Sequence, residues 1–398
     1  MRILMGTHYF ASHKGGIEIV AEQLFRQFAA GGHEVVWMAG DDTPPPDAHG
    51  NSRTRSLPVF NFIEKKIGLP CPIPTVSALK AIGAEVKNAD VLIIHDCLYL
   101  SNIAAFLVAR VRRIDTIVVQ HIGFVPYRNW ILNTLMKIAN VAITRPMLAR
   151  AGQVVFISDT TRRFFTGLRF RRLPQTIFNG VDTESYRTLF PRERKVDVRV
   201  KYKLPPDRPA ILFVGRFVEK KGMAALRRMA SRRVDLTWVF AGWGPIDPNE
   251  WNAPNVRVLS GLRGESLGEL YRACDIFVLP STGEGFPLVI QEALASGLPV
   301  VCSSETVVAD PEMAAFATGV PVYVGNDERT AEEFLAAIEN VLAGEPFTQK
   351  GPAERHAFAV RRYSWRSAAE QYLEIASALR LRNFAERHSG SAGEKASR

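Results

Sequence analysis

The chain has 398 residues, of which 47% are hydrophobic and 23% charged, and its formal net charge is +10 at pH 7. This composition is ordinary for a folded protein and excludes a disordered or fibrous chain, while the length exceeds the roughly 250 to 300 residues at which one core stops growing, so two domains are expected. The four cysteines, Cys71, Cys97, Cys274 and Cys302, show no short paired spacing and support neither a zinc site nor a disulfide framework.

The N-terminal residues and the longest apolar stretch bear on location. The opening MRILMGTHYF is too short in apolar residues for a secretory signal. Residues 130–143 are interrupted by Asn133, Lys137 and Asn140 and fall short of the roughly 20 apolar residues that span a bilayer, so this stretch reads as a buried or groove-lining helix. We therefore expect a cytoplasmic protein.

Short β-branched runs alternate with amphipathic helices along the first half of the chain, which predicts a parallel sheet flanked by helices. Strands are predicted at residues 2–5, 34–38, 91–95, 116–120, 154–157 and 176–178, and helices at 17–30, 101–112, 128–150 and 159–166. Residues 41–80 are rich in proline and turn formers, and we interpret them as an insertion that could line a substrate groove rather than as a strand–helix unit.

A second doubly wound domain follows a charged, proline-bearing crossing. We predict domains at 1–185 and 207–362, a linker at 186–206, a helix at 363–383 that crosses back to the first domain, and a disordered tail at 384–398. The strands of the second domain are predicted at 210–214, 237–241, 256–259, 276–279, 299–301 and 320–323, with helices beginning near Lys221, Ser266, Pro287 and Thr330.

The segment EGFPLVIQE follows a buried strand and opens a helix at Pro287. Proline suits the first helical position, and the backbone N–H groups of Leu288 and Val289 would then point out of the positive end of the helix toward an anion such as a diphosphate. Glu284 and Glu292 could hold the hydroxyls of a hexose and a ribose. For a lone glutamate, a loop acid or a solvated helix residue is the more common reading.

The buried strand, the loop, the helix start at Pro287 and the spacing of the two glutamates together are a more specific pattern than either glutamate alone. Residues 271–301, YRACDIFVLPSTGEGFPLVIQEALASGLPVV, resemble the E-x7-E element of retaining GT-B glycosyltransferases, especially family 4. The resemblance implies two Rossmann-like domains facing across a cleft. It also implies that Gly285, Phe286, Pro287, Leu288, Val289 and Glu292 bind the donor and that Glu284 orients its sugar.

Two further elements of the second half carry the same resemblance. GRFVEKKG resembles the family's G-R-x(4)-K-G element, which implies that Arg216 and Lys221 bind the diphosphate; two cations there would stabilise the charge that grows as the donor bond breaks. FAGWGP resembles the family's G-x-G-P turn, although the family usually has a polar residue at the place of Trp243. An interpretation of Gly242 and Gly244 as ordinary tight-turn residues, with no functional role, is equally good.

The first half carries a glycine pair and a strand-end histidine. Gly15 and Gly16 precede a helix whose free N–H groups suit phosphate, and they resemble the family's GG-I-E element. His121 follows the strand TIVVQ and matches the family position that contacts the donor sugar. His95, Asp96 and Asn179 match positions with architectural roles, and His8, His13 and Lys14 could meet the acceptor.

The basic stretch RRFFTGLRFRRLP interleaves cations with aromatic residues, which suits an anionic membrane surface or a phosphate-bearing lipid acceptor. A helix with one buried aromatic face and solvated arginines fits equally well. The cations concerned are Arg162, Arg163, Arg169, Arg171 and Arg172.

The resemblance implies transfer of a sugar from a UDP- or GDP-sugar to an acceptor hydroxyl with retention of anomeric configuration, in bacterial cell-surface polysaccharide, lipopolysaccharide or glycolipid synthesis. We expect no cofactor, no metal ion and no nucleic acid partner, and a cytoplasmic location that includes the inner face of the plasma membrane. The alternatives are a nucleotide-sugar epimerase or hydrolase on the same scaffold, and a non-catalytic binding protein.

Overall fold

The chain divides into two compact units in this computed structural model, which describes residues 1–13, 15–62, 72–123, 130–189, 193–344 and 350–395. Unit 1 contains Met1–Ile177 together with Trp365–Arg398, and unit 2 contains Phe178–Ser364. The boundary between them thus falls earlier than the predicted end of the first domain at residue 185.

Unit 1 is built on a parallel sheet of seven strands. The strands lie in the order β3-β2-β1-β6-β7-β8-β9, and their apolar side chains are buried. They are β1 (Arg2–Gly6), β2 (Glu34–Gly40), β3 (Ser52–Leu57), β6 (Val91–His95), β7 (Asp115–Gln120), β8 (Gln153–Phe156) and β9 (Gln175–Thr176); β4 (Val59–Phe60) and β5 (Ile73–Pro74) pair separately and antiparallel. The helices are α1 (Gly16–Ala30), α2 (Val76–Lys87), α3 (Leu100–Arg112), α4 (Trp130–Ala139), α5 (Arg145–Arg150) and α6 (Asp159–Phe164).

The interpretation of residues 41–80 as an insertion without a strand–helix unit is wrong. Strand β3 pairs in parallel with β2 at the edge of the sheet, and α2 begins after Thr75, whose side chain accepts a hydrogen bond from the N–H of Ala78. The sequence SRTRSL has one large apolar residue, and only Ser52 and Leu57 are buried. An edge strand needs little apolar surface, so its pattern was too weak to recognise.

The apolar stretch at 130–143 was predicted to be a buried or groove-lining helix, and the buried alternative is wrong for Trp130–Ala139. None of the residues of α4 is buried, and Trp130 is 75% exposed, so this helix is not a core helix. The single helix predicted at 128–150 is interrupted by a π-helical turn at Asn140–Thr144. Pro146 explains the interruption, because it has no N–H to donate to the carbonyl four residues earlier.

Unit 2 is built on a parallel sheet of six strands in the order β12-β11-β10-β13-β14-β15. The strands are β10 (Ala210–Arg216), β11 (Thr237–Trp243), β12 (Val256–Leu259), β13 (Ile276–Leu279), β14 (Val300–Ser303) and β15 (Ala317–Val320). The helices are α7 (Lys195–Lys201), α8 (Met223–Arg232), α9 (Gly264–Ala273), α10 (Leu288–Ala295), α11 (Ser304–Val307), α12 (Asp327–Leu342) and α13 (Pro352–Arg362). Strand β15 ends where residues 320–323 were predicted to begin a strand, because Pro321 cannot donate to the ladder.

The predicted linker at 186–206 is packed onto unit 2. Helix α7 lies inside it, and Arg199 on this helix is buried. The guanidinium of Arg199 donates to the carbonyl of Ala273 at 2.9 Å and pairs with Asp275, which also accepts from Lys195 at 2.6 Å. Two of the charges in the predicted crossing, Lys195 and Arg199, are therefore ion-pair partners of Asp275, next to strand β13.

The last helix, α14 (Trp365–Lys395), belongs to unit 1. Tyr372, Ile375 and Leu379 are buried, and the ring of Tyr372 meets that of Phe28 on α1 at 6.4 Å between centroids. The helix continues beyond the predicted end at 383 to Lys395, so residues 384–395 of the tail that was predicted to be disordered are helical. Residues 396–398 lie outside the described residues. Among helices of the described ranges, none is long and apolar enough to span a bilayer.

Candidate functional site

The first cations of the site lie where β10 ends. Arg216 is the last residue of β10 and is exposed, and the chain then forms a 3-10 turn, Glu219–Lys221. Gly222 follows with φ 75°, and a Cβ on it would lie 2.4 Å from the carbonyl oxygen of Pro280. Only glycine allows this approach, which brings the lysine turn against the loop after β13.

That loop carries Glu284 to Lys221. The N–H of Thr282 donates to the carbonyl of Lys220 at 3.0 Å, which joins the two segments. Glu284 Oε1 then lies 3.0 Å from Lys221 Nζ and 3.6 Å from Lys220 Nζ. The side chains of Lys221 and Glu284 are only 13% and 15% exposed, whereas that of Lys220 is 51% exposed, so the inner lysine is the partner screened from water.

Helix α10 begins directly after this loop. Pro287 is its N-cap residue and not its first helical residue as predicted, since its ψ of 128° is extended; no side chain caps the helix. The N–H groups of Leu288 and Val289 stand at the positive end of the helix, where they suit an anion. Phe286 is 4% exposed and packs on Phe178 and Tyr363, so its ring supports the loop.

We call Arg216, Lys221, Glu284 and the start of α10 the donor cluster, after the role that the sequence resemblance implies for them. Strands β10 and β13, which end at this cluster, are neighbours in the sheet, with Leu212 opposite Phe277. In parallel sheets the carboxyl ends of the strands are where ligands bind. Lys221 and Glu284 lie together just before α10, and Arg216 ends the neighbouring strand. Cations, open N–H groups and a carboxylate are a set that can bind a diphosphate and a hydroxyl.

Glu292 has different partners from Glu284. Its carboxylate accepts a hydrogen bond from the hydroxyl of Tyr271 at 2.9 Å and another from Tyr186. Burial raises the pKa of Glu292 to about 7, and the two tyrosine hydrogen bonds only partly offset that rise. The tyrosines were missed in the sequence because only the fold brings them to this helix.

The G-x-G-P turn has a specific packing reason. A Cβ on Gly242 would lie 1.9 Å from the carbonyl oxygen of Gly215, and one on Gly244 would lie 2.4 Å from that of Phe217. The ends of β10 and β11 therefore approach too closely for any side chain at these positions. The guanidinium carbon of Arg216 lies 5.1 Å from the ring centroid of Trp243, a contact that the sequence did not reveal.

In unit 1, His121 lies at the carboxyl end of β7 as predicted, and it is buried. Its ring Nε2 lies 3.0 Å from Nδ1 of His95, and its backbone N–H donates a hydrogen bond to Asp96 Oδ1 at 3.0 Å. Burial lowers the pKa of His95 to about 3 and that of His121 well below its usual range, so both rings are neutral near pH 7. Burial also raises the pKa of Asp96 to about 7, partly offset by the hydrogen bond from His121.

The glycine pair lies at the start of α1. Gly15 is the N-cap and Gly16 the first helical residue. A Cβ on Gly15 would lie 2.0 Å from Oε2 of Glu18, so glycine leaves room for this carboxylate to fold back onto the helix start. Because Glu18 already places an anion there, the predicted diphosphate contact stays a prediction.

The predicted acceptor contacts differ in exposure, and His8 is buried. His13 is exposed and stacks on Tyr9 at 4.1 Å, while Lys14 lies outside the described residues. In the basic stretch, Phe165 is buried and Phe164 is 41% exposed. The arginines at 162, 163, 169 and 171 are exposed and Arg172 is half-buried, with Arg162 paired to Asp159 at 3.1 Å. Both interpretations of the stretch therefore keep some support.

Two doubly wound units, the second with cations and a helix start at the carboxyl ends of its strands, have the architecture of the GT-B fold. The solved structure of the Anabaena protein HepE in complex with UDP superposes with a TM-score of 0.70, covering 95% of this chain and 100% of that one at 16% identity. At that identity the likeness shows the fold.

Sequence comparison gives the family. The model of Glycosyltransferase Family 4 matches residues 14–185, and that of Glycosyl transferases group 1 matches residues 208–343. The chain belongs to family 4 of the glycosyltransferases. It is 28% identical over 330 residues to alpha-maltose-1-phosphate synthase of Mycobacterium tuberculosis, covering 75% of this chain and 83% of that relative. It is also 28% identical over 257 residues to phosphatidyl-myo-inositol mannosyltransferase of the same species, covering 58% and 61%.

Proposed function

We propose that this glycosyltransferase moves a sugar from a UDP- or GDP-sugar to an acceptor hydroxyl with retention of anomeric configuration. The observation that carries the proposal is the screened ion pair between Lys221 and Glu284 beside the uncapped start of α10. A cation and open N–H groups suit the diphosphate, and a carboxylate next to them suits a sugar hydroxyl.

The proposed reaction uses these groups, and its same-face geometry is what the family resemblance implies. The bond between the anomeric carbon and the diphosphate oxygen breaks, and negative charge grows on that oxygen beside Lys221, Arg216 and the helix start. The acceptor oxygen bonds to the same face of the anomeric carbon, and its proton passes to the departing phosphate. Glu284 orients the sugar through its hydroxyls.

His121 is proposed as a contact to the donor sugar. Burial keeps its ring neutral, and His95 holds one ring nitrogen, so the ring has a fixed orientation. A neutral, fixed imidazole can offer a hydrogen bond without adding a charge next to the reacting carbon.

The reaction is proposed to need no resident metal ion. In this proposal the positive charge beside the leaving group comes from Arg216 and Lys221. Turnover that is unchanged after treatment with EDTA supports this point, and turnover abolished by EDTA and restored by Mg²⁺ contradicts it.

We propose a lipid-linked or cell-surface carbohydrate as acceptor, met at the inner face of the plasma membrane. The exposed arginines at 162, 163, 169 and 171 precede Leu173 in the chain, and Leu173 is itself 89% exposed. Helix α4 exposes Trp130 and Ile131. One of the relatives is named for transfer to phosphatidyl-myo-inositol, which supports a glycolipid pathway. The protein should sediment with anionic vesicles, less so at high salt, and less with neutral vesicles than with anionic ones. Equal binding to anionic and neutral vesicles, or binding to neither, contradicts the proposal.

The donor is identified by a thermal-shift screen of UDP- and GDP-sugars, followed by product analysis. A shift with one donor and release of its nucleotide diphosphate that depends on added glycolipid or polysaccharide supports the proposal. Sugar isomerisation or hydrolysis at full rate without acceptor indicates an epimerase or hydrolase. Binding without any turnover indicates a binding protein.

A further inference from the structure

Arg216 and Trp243 form a side-chain pair at the edge of the second sheet. They are the last residues of the neighbouring parallel strands β10 and β11 and lie opposite each other in register. Side chains at registered positions of parallel strands point to the same face of the sheet. The guanidinium carbon lies 5.1 Å from the indole centroid, within the range of a cation–π contact.

The backbone holds Trp243 firmly in this place although its side chain is 51% exposed. The carbonyl of Trp243 accepts a hydrogen bond from the N–H of Phe217 at 2.8 Å, beyond the last pair of the ladder. Gly242 and Gly244 on either side leave no room for a Cβ. The indole is thus carried by a rigid turn and not by a mobile loop.

The two cations of the donor cluster are held differently. Lys221 pairs with Glu284, whereas Arg216 makes no ion pair with any carboxylate among the described residues. An arginine side chain has many rotamers, and an exposed one needs a partner to stay in one of them. An indole face can locate a guanidinium without neutralising it, which a carboxylate cannot do.

We propose that Trp243 is a positioning residue that holds the Arg216 guanidinium where it meets the diphosphate of the donor. This inference rests on the proposed function and assigns a role to the position where family 4 usually has a polar residue. Trp243 acts through Arg216. It holds the guanidinium without neutralising it, so the full positive charge of Arg216 stays available to the leaving group. A polar side chain there would leave the guanidinium less well ordered.

The first test compares Trp243→Leu with Trp243→Phe. Leucine removes the π face, and the value of a cation–π contact predicts a loss in kcat/KM for the nucleotide-sugar donor of roughly two- to thirtyfold. Phenylalanine keeps a π face and should retain more activity than leucine. The matched control is Tyr323→Leu, which removes another cation–π pair of unit 2, that with Arg329 at 4.0 Å, and should leave kcat/KM unchanged.

The second test asks whether Trp243 acts through Arg216. In an Arg216→Ala background, Trp243→Leu should cause no further loss, because the group that it positions is gone. Losses that multiply in the double variant would overturn the inference, as would wild-type activity of Trp243→Leu. Fluorinated tryptophan analogues at position 243 alone keep the shape of the ring and weaken its negative face, so activity should fall stepwise with the number of fluorine atoms; a flat series overturns the proposal.

Failure of this inference is separable from failure of the proposed function. If wild-type protein turns over the donor and Arg216→Ala is strongly impaired while Trp243→Leu is not, only the role of Trp243 is wrong. If wild-type protein turns over no UDP- or GDP-sugar, the proposed function itself fails. Thermal unfolding of every variant, compared with wild type, separates loss of folding from loss of positioning.

Discussion

At the scale of single residues, Lys221 and Glu284 were chosen from the sequence, and the structure joins them at 3.0 Å. Spacing within two motifs was enough to name these residues. It could not show that the motifs meet, because their contact depends on Gly222 passing within van der Waals distance of Pro280. The hydroxyls that hold Glu292, and the indole beside Arg216, also come from distant positions and leave no local signal.

Adjacent lysines offer a matched pair for testing the donor cluster. Removing a preorganised group that stabilises growing negative charge costs about 10²- to 10³-fold in kcat, so Lys221→Ala should lose activity on that scale. Lys220→Ala should stay close to wild type, because its Nζ is more exposed and lies 3.6 Å from the same oxygen. The measurement is kcat with the best nucleotide-sugar donor. Equal effects of the two substitutions would rule out the special role of Lys221.

The buried histidines predict a pH dependence of stability. The pKa of His95 is about 3 in the folded state and near 6.5 when unfolded, so the unfolded state binds the extra proton between these values. The contribution of neutral His95 to the free energy of unfolding is therefore present above pH 6.5. It is lost as the pH falls toward 3, by up to about 1.4 kcal/mol per pH unit.

Asp96 changes stability in the opposite direction. Its pKa is raised to about 7 in the folded state. Its contribution to the free energy of unfolding is therefore present at low pH and falls as the pH rises from about 4 to 7. The variant His95→Gln lacks the histidine that must stay neutral in the folded state. Its free energy of unfolding, measured by denaturant titration from pH 4.5 to 7, should therefore increase relative to that of wild type as the pH falls. A constant difference between the two proteins over this range would contradict the buried neutral state of His95.

At the scale of elements, apolar runs predicted the central strands of both sheets, because strands buried on both faces must be apolar throughout. The edge strand Ser52–Leu57 was missed, since one face of it meets water and its residues are mainly polar. Trp130–Ala139 has the opposite character: its residues are apolar, yet none is buried. Composition reports what an element could bury, and the fold decides what it does bury.

The turn between the lysines and α8 tests how the donor cluster is built. Gly222→Ala combines positive φ with a clash against Pro280, whereas Gly325→Ala has positive φ and open space. A non-glycine residue at positive φ costs on the order of 1 to 3 kcal/mol, and the clash should make Gly222→Ala clearly the more destabilising substitution in thermal unfolding. Equal losses in the two variants would show that the close approach at Gly222 is not needed.

At the scale of the whole molecule, the number of domains followed from length alone, and the alternation of strands and helices gave their class. The boundary was less accurate, because residues 186–206 are charged and prolines lie among them. Lys195 and Arg199 of this segment pair with Asp275 of unit 2, a contact that the sequence alone does not reveal. The last helix shows that a unit can be completed by residues from the far end of the chain.

The contribution of α14 to unit 1 can be measured with a substitution on each of its faces. Tyr372→Ala removes a buried ring that packs on Phe28 and should destabilise the protein by about 3 to 5 kcal/mol. Gln371→Ala changes an exposed neighbour on the same helix and should have little effect. Calorimetric unfolding of the two variants checks this, and equal stabilities would mean that α14 does not brace unit 1.

The stereochemistry of transfer tests the central claim most directly. The anomeric proton of the product is observed by NMR while the best UDP- or GDP-sugar reacts with a glycolipid or polysaccharide acceptor. Attack on the face from which the diphosphate leaves predicts a product with the donor's anomeric configuration, formed as nucleotide diphosphate is released in equal amount. A product of inverted configuration would contradict the proposed reaction at this donor cluster.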